Sequence, residues 1–222
     1  MTKFKMVVFD VDGVLTEVDS IWKFIHMRLG TLERAEANAL AYYSGRITYE
    51  EWARRDVALW RGRTKEEMEA IVKDIPLRRG AKELISFLKL RGLVVVALSA
   101  GLDLITKKVK EQLGLDEEFS NVLVFDEEDR VKGEVVVRVS ADNKGLVLRK
   151  ICAKYGVLKD ACIAVGDSEV DIPMFEEAGL SVAFSPKTKE VARRADVAIY
   201  GDLLKLLKFF KVILPLPENH AI

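Results

Sequence analysis

The sequence predicts an α/β protein: a parallel sheet with helices on both faces and a helical bundle inserted after its first strand. Three observations carry that expectation. Met6-Val7-Val8-Phe9 is a short apolar run rich in β-formers and reads as a buried strand. From residue 81 onward, helical and strand patterns alternate, as they do when a parallel sheet is packed between helices. Between these regions, about sixty residues show helical spacing with no strand pattern.

In chain order, helices are expected over residues 20–29, 32–43, 49–60 and 65–75, where apolar positions recur every three or four residues. Thr48 with Glu51 and Thr64 with Glu67 have the spacing of capping boxes, and Gly30, Gly45 and Gly62 supply the breaks. Four consecutive helices are too many for one crossover between neighbouring strands. Residues 17–75 are therefore read as a lid, and residues 1–16 and 76–222 as the core. In the core the pattern predicts a helix over 81–91, a strand over 93–98, a helix over 103–113 and a strand over 122–125. A hairpin arm over 131–139 follows an acidic turn, and a helix over 144–155 comes next. Strand 162–165, helix 171–178 and strand 180–184 continue the alternation. Ser185-Pro186 reads as a cap with proline at the first helical position, opening a helix to Arg194. Strand 197–200 and helix 203–211 close the core, and the tail over 212–222 has no clear period.

Composition narrows the function. Half of the 222 residues are hydrophobic, which suits a sizeable core. Lys plus Arg and Asp plus Glu number 35 each, so the basic excess of a nucleic-acid binder is missing. Cys152 and Cys162 match neither a disulfide framework nor a zinc site and read as small buried hydrophobes. No signal-peptide pattern and no apolar run of membrane-spanning length is found, so a soluble cytoplasmic protein, monomer or homodimer, is expected. Only His26 and His220 are present, too few for histidine-based triads, and His26 reads as an ordinary helix residue. Walker and dinucleotide glycine fingerprints are absent as well.

In a sheet of this type the chemistry lies just past the carboxyl ends of the strands. Asp10-Val11-Asp12-Gly13 follows the first strand, and two carboxylates so close repel each other unless a cation intervenes. Ser99-Ala100-Gly101 follows the second core strand, offering a hydroxyl and backbone N–H groups to an anion. Lys144 opens a helix, where it opposes the dipole and calls for a nearby anion. Gly166-Asp167 ends a strand, and Asp171 opens the next helix. Singly, each has an ordinary reading: Asp10 and Asp12 a solvated turn, Ser99 a cap, Lys144 a surface lysine, Asp167 a turn residue, Asp171 an N-cap. Together they put carboxylates suited to Mg²⁺ beside a lysine and a hydroxyl suited to a phosphoryl group.

The order Asp-x-Asp-Gly, Ser, Lys, Gly-Asp-x-x-x-Asp resembles the haloacid dehalogenase-like superfamily, and the helical insert resembles its phosphoserine phosphatase branch. The resemblance implies a three-layer α/β/α Rossmann-like core with a helical-bundle cap, and a Mg²⁺-dependent phosphatase acting on a small phosphorylated metabolite. It implies that Asp10 is the nucleophile and that Asp12 is the general acid and base. It also implies that Ser99, Ala100 and Lys144 hold the phosphoryl oxygens. Mg²⁺ would take Asp10, the Asp12 carbonyl and Asp167, with Asp171 supporting through water. An acid at Asp12 separates this pattern from the dehalogenases, which lack it, and from the ion pumps, which carry threonine there. The alternatives are a true phosphoserine phosphatase, or a phosphomutase or phosphotransferase using the same aspartate.

Substrate recognition departs from the branch. Its ammonium-binding Glu aligns with Asp19, its carboxylate-binding Arg aligns with Asp56, and Val170 replaces a usual Asn. Phosphoserine therefore fits poorly unless Arg55 takes over from the aligned position, and a different small phosphomonoester is expected. Trp22, Phe24, Tyr42, Tyr43, Trp52 and Trp60 are candidate pocket aromatics, most of them expected in the lid core.

Overall fold

The computed structural model describes residues 3–215, so His220 and most of the tail lie outside the described residues. Seven strands form one sheet in the order β4-β3-β2-β1-β5-β6-β7. The chain starts with β1 (Met6–Phe9) at the centre, paired in parallel with β2 (Val94–Leu102) and β5 (Cys162–Gly166). β3 (Glu117–Phe125), β6 (Leu180–Phe184) and β7 (Val197–Ile199) extend the parallel set, and β4 (Val131–Val136) adds an antiparallel edge.

The alternation of β1 explains the layers. Val7 and Phe9 pack on one face and Met6 and Val8 on the other, all four fully buried. The first face receives α5 (Ala81–Leu90), α6 (Asp103–Leu113) and α10 (Leu203–Ile213) through residues such as Leu88, Val109 and Phe210. The second receives α7 (Lys144–Lys154), α8 (Ile172–Phe175) and α9 (Lys189–Arg194) through Leu148, Met174 and Val191. Cys152 and Cys162 are buried free thiols on this second face, matching the reading from sequence. Among the described residues no helix is long and apolar enough to cross a membrane.

Between β1 and α5 lie α1 (Ile21–Leu29), α2 (Leu32–Tyr43), α3 (Tyr49–Ala58) and α4 (Lys65–Lys73), the helical cap. Thr64 and Glu67 form the full capping box. Thr48 accepts the Glu51 N–H, but the Glu51 carboxylate is taken by Arg54 and Arg55, so the second box is half made. An antiparallel bridge between Thr16 and Leu77 closes the insertion where the chain leaves and re-enters the core. Backbone bonds from Gly62 N–H to Val131 O and from Lys65 N–H to Asp129 O tie the cap to the β3–β4 hairpin.

Four boundaries differ from the sequence pattern. β2 runs on through Ser99 to Leu102, with an irregularity in its pairing to β3 between Leu98 and Leu102. β3 begins at Glu117 because Lys154 and Tyr155 hold Glu117 while Thr106 and Ser120 hold Glu118, letting charged residues join a strand. The helix expected over 171–178 is a 3₁₀ turn (Glu169–Asp171) followed by the four-residue α8, whose end tightens to i→i+3 bonds at Glu177 and Ala178. Ser185-Pro186 does not open α9: Ser185 bonds to Ile199 O, Lys187 N–H reaches Asp167 O, and Thr188 is the cap.

Candidate functional site

β1 and β5 end side by side, and the loops leaving them carry most of the acidic groups. Asp10, the residue after β1, donates its N–H to Val165 O on β5 and so stands next to Asp167. The turn that follows needs Gly13, whose φ of 78° is left-handed. A Cβ there would also lie 2.1 Å from Asp167 Oδ2, so only glycine lets the two loops meet.

Lys144 comes from the first position of α7 and is fully buried. Its Nζ donates to Asp10 Oδ1 at 2.7 Å and to Asp171 Oδ1 at 2.5 Å, which supplies the anions that a lysine at a helix start requires. Burial works against its charge, yet the two carboxylates more than offset this and hold its pKa above the ordinary lysine value. Asp171 Oδ2 accepts from the Asp167 N–H, the Ser168 N–H and the Ser168 hydroxyl, so both its oxygens are engaged. It is thus a cap and an ion-pair partner at once, and it fixes where Lys144 points.

Asp10 is pushed well above the ordinary carboxylate range by burial and by Asp171, with Lys144 opposing. Asp12 is raised to about 6 by burial, against the pull of the Ile21 N–H. That N–H reaches Asp12 Oδ2 at 2.8 Å, so the start of α1 orients this carboxylate. Its Oδ1 is buried and has no partner. Asp167 is raised to about 6 by burial, with Lys187 opposing through an ion pair at 3.1 Å, and its Oδ1 also lacks a partner. Asp10, Asp167 and Asp171 each offer an oxygen within 4.8 Å of the others. Two orphaned carboxylate oxygens and an all-oxygen donor set in one buried spot fit a hard divalent cation such as Mg²⁺.

Ser99 is buried, and its hydroxyl oxygen accepts the Gly101 N–H at 2.9 Å, which leaves its proton free to donate. The Ala100 carbonyl is gripped by Trp22 Nε1 at 3.1 Å, the Tyr49 hydroxyl at 3.0 Å and Asn121 Nδ2 at 2.9 Å. Two of these three donors belong to the cap, so the turn at Ala100 is held partly from above. Composition and spacing gave no warning of this clamp, nor of Lys187, because the partners are remote in sequence.

A cavity of about 330 Å³ lies over these residues, lined by Asp10, Asp12, Ser99 and Ala100 below and by cap residues above. Asp19, Asp56 and Val170 line it too. Arg55 does not: it is exposed, pairs with Glu51 at 2.8 Å and borders a separate surface groove. Of the six aromatics marked in the sequence, Trp22, Tyr42, Tyr43 and Trp52 line the cavity, which corrects the expectation that most are lid core. Trp60 is core, and Phe24 packs at the edge of it. His26 is more than an ordinary helix residue: buried, it meets Thr31, Trp60 and Asp56.

One consequence is measurable on metal-free protein. The folded pKa of Asp167, about 6, exceeds its ordinary value of 3.8, so this group's stabilising protonation is complete below about pH 4 and is lost as pH rises through 6. In chelator, Asp167→Asn is therefore more stable than wild type at about pH 7.5, by on the order of 2 kcal/mol, and the gap shrinks to a small fraction of that by about pH 4. Thermal melts at the two pH values check this, and a gap of opposite sign at the higher pH rejects it.

Fold and site together define a phosphoric monoester hydrolase: a parallel α/β core that gathers acids, a lysine and a hydroxyl at one sheet edge. The chain belongs to the haloacid dehalogenase-like hydrolases, whose family profile matches residues 4–179. It is 35% identical over 211 residues to the phosphoserine phosphatase of Methanocaldococcus jannaschii, covering 94% of this chain and 99% of that one. It is also 35% identical to the phosphoserine phosphatase of Albidiferax ferrireducens, covering 95% of this chain and 91% of the relative. A substrate-bound phosphoserine phosphatase structure superposes with a TM-score of 0.81 at 33% identity, covering 94% and 99% of the two chains. A structure of a phospho-aspartyl intermediate analogue of phosphoserine phosphatase gives 0.79 at 34% identity, covering 93% and 98%.

Proposed function

We propose that this phosphatase hydrolyses a small phosphomonoester other than phosphoserine, with Mg²⁺, through an aspartyl-phosphate on Asp10. The observation that carries the chemistry is the buried Asp10 carboxylate, bound on one oxygen by Lys144, with the unpartnered oxygen of Asp12 in the same cavity. An Asp10 oxygen bonds to phosphorus as the bond to the substrate's alcohol oxygen breaks, and a proton on Asp12 goes to that oxygen. A pKa raised to about 6 leaves about a tenth of Asp12 protonated at pH 7, far more than an ordinary aspartate keeps. Asp12 then takes a proton from water, whose oxygen bonds to phosphorus as the bond to Asp10 breaks. The Ser99 hydroxyl, the Ala100 N–H and Lys144 hold the phosphoryl oxygens through both steps. Asp10, the Asp12 carbonyl and Asp167 would hold Mg²⁺, with Asp171 supporting. Bound there, the ion neutralises the acids and draws charge from the phosphoryl group. Residues 17–75 act as the lid, the Thr16–Leu77 bridge marking its hinge.

Asp56 carries the claim about substrate, because a substrate carboxylate would meet this buried acid in the cavity. The whole-length identity to phosphoserine phosphatases favours a second reading, phosphoserine itself. Phosphate release from several dozen phosphorylated metabolites, with Mg²⁺ and with chelator, tests both. Turnover should require the metal, and phosphoserine should not lead. Strong preference for phosphoserine selects the second reading, and full activity in chelator removes the metal from the scheme.

A further inference from the structure

We infer that the substrate's alcohol carries an ammonium group and no carboxylate, an inference resting on the phosphatase reading above. The argument comes from the cap side of the cavity. Its wall there is aromatic. Trp52 stacks on Tyr42 with centroids 4.6 Å apart and planes at 20°, and Tyr49 meets Trp52 edge-on at 5.8 Å and 80°. Trp52, Tyr42 and Tyr49 all line the cavity. Aromatic faces attract cations and do nothing for carboxylates.

Acids stand beside this wall. Asp56 is 3% exposed and lines the cavity. Its Oδ1 accepts from Asn38 Nδ2 at 2.8 Å, a neutral donor. Its Oδ2 lies 3.5 Å from His26 Nε2. The other ring nitrogen of His26, Nδ1, meets the Trp60 N–H at 3.1 Å and Thr31 Oγ1 at 2.7 Å, so this ring is held from the cap interior. On its protein side Asp56 thus meets an amide and an imidazole, with no lysine or arginine paired to it among the described residues. Asp19 lies at the exposed mouth of the same cavity. Lys187 is the lysine among the described lining residues; it is paired with Asp167 at 3.1 Å and also donates to the Asp19 carbonyl at 3.3 Å.

The three substrate classes then separate. A carboxylate would meet Asp56, itself a buried acid, and like charges at close range repel. A neutral polyol would leave the buried Asp56 uncompensated. An ammonium group between the aromatic wall and Asp56 compensates it and gains the attraction of the ring faces. Primary and quaternary ammonium share this chemistry, and the assay distinguishes them.

Steady-state kinetics with Mg²⁺ on p-nitrophenyl phosphate, 2-aminoethyl phosphate, choline phosphate, glycerol 3-phosphate and phosphoserine provide the test. One of the two cationic esters should exceed glycerol 3-phosphate and phosphoserine at least tenfold in kcat/KM, with the advantage mainly in KM. Choline phosphate ahead assigns the aromatic wall the larger part, and 2-aminoethyl phosphate ahead assigns it to the acids. In Asp56→Asn, and to a smaller extent in Asp19→Asn, the ratio of the cationic ester to glycerol 3-phosphate should fall severalfold through KM. Turnover of p-nitrophenyl phosphate with glycerol 3-phosphate or phosphoserine ahead overturns this inference and leaves the phosphatase reading standing. No turnover of any ester overturns both.

Discussion

Asp10→Asn lowers kcat by at least about a thousandfold, equivalent to about 4 kcal/mol of transition-state stabilisation. The amide is nearly isosteric, so the contact with Lys144 can survive while the nucleophilic electron pair is lost. Wild-type enzyme quenched in acid during turnover should carry a hydroxylamine-sensitive phosphoryl group, and the variant should carry none. Phosphate release by Asp10→Asn above a tenth of the wild-type rate would remove Asp10 from the role of nucleophile.

Lys144→Met is expected to harm both stability and rate. Lys144 is the ion-pair partner of Asp10 and Asp171, and all three side chains are buried. Removing one partner of a buried pair leaves uncompensated charge and costs about 3–5 kcal/mol. Rate should fall by about a hundredfold or more, since a cation aimed at the phosphoryl oxygens is also lost. The double variant Lys144→Met, Asp171→Asn separates the two effects. Removing one of the stranded carboxylates should restore a large part of the stability and none of the activity. Urea denaturation in chelator measures the first and phosphate release with Mg²⁺ the second. If the double variant is no more stable than the single, the coupling between Lys144 and Asp171 is not what holds this corner together.

Much of the site was legible in the chain because its residues fall where local pattern already announces an element boundary. Asp10 and Asp12 end an apolar run, Asp167 ends another, and Lys144 and Asp171 sit at helix starts. A reader who knows that strand ends carry chemistry in parallel sheets can collect them without coordinates. The clamp on the Ala100 carbonyl was not legible, since Trp22, Tyr49 and Asn121 lie 78, 51 and 21 residues away. Lys187 was hidden for a different reason. Pro186 looked like a helix opener, and the bonds from Lys187 to Asp167, backbone and side chain, draw that loop toward the site. The charged start of β3 was missed because Glu117 and Glu118 read as loop until Lys154, Tyr155, Thr106 and Ser120 are folded against them.

The sequence by itself determined the layered α/β core, the helical insertion and the set of acids, lysine and hydroxyl at the strand ends. These follow from periodicity and from residues a few positions apart, which hold whatever the rest of the chain does. Only the tertiary structure decided that Arg55 points away, that the aromatics of the insertion wall the cavity and that Asp56 lines it with no lysine or arginine paired to it among the described residues. Those facts depend on which side of a cap helix meets the core. A turn of about 100° per residue separates neighbouring positions there, so Arg55 and Asp56 have opposite fates that spacing along the chain cannot assign.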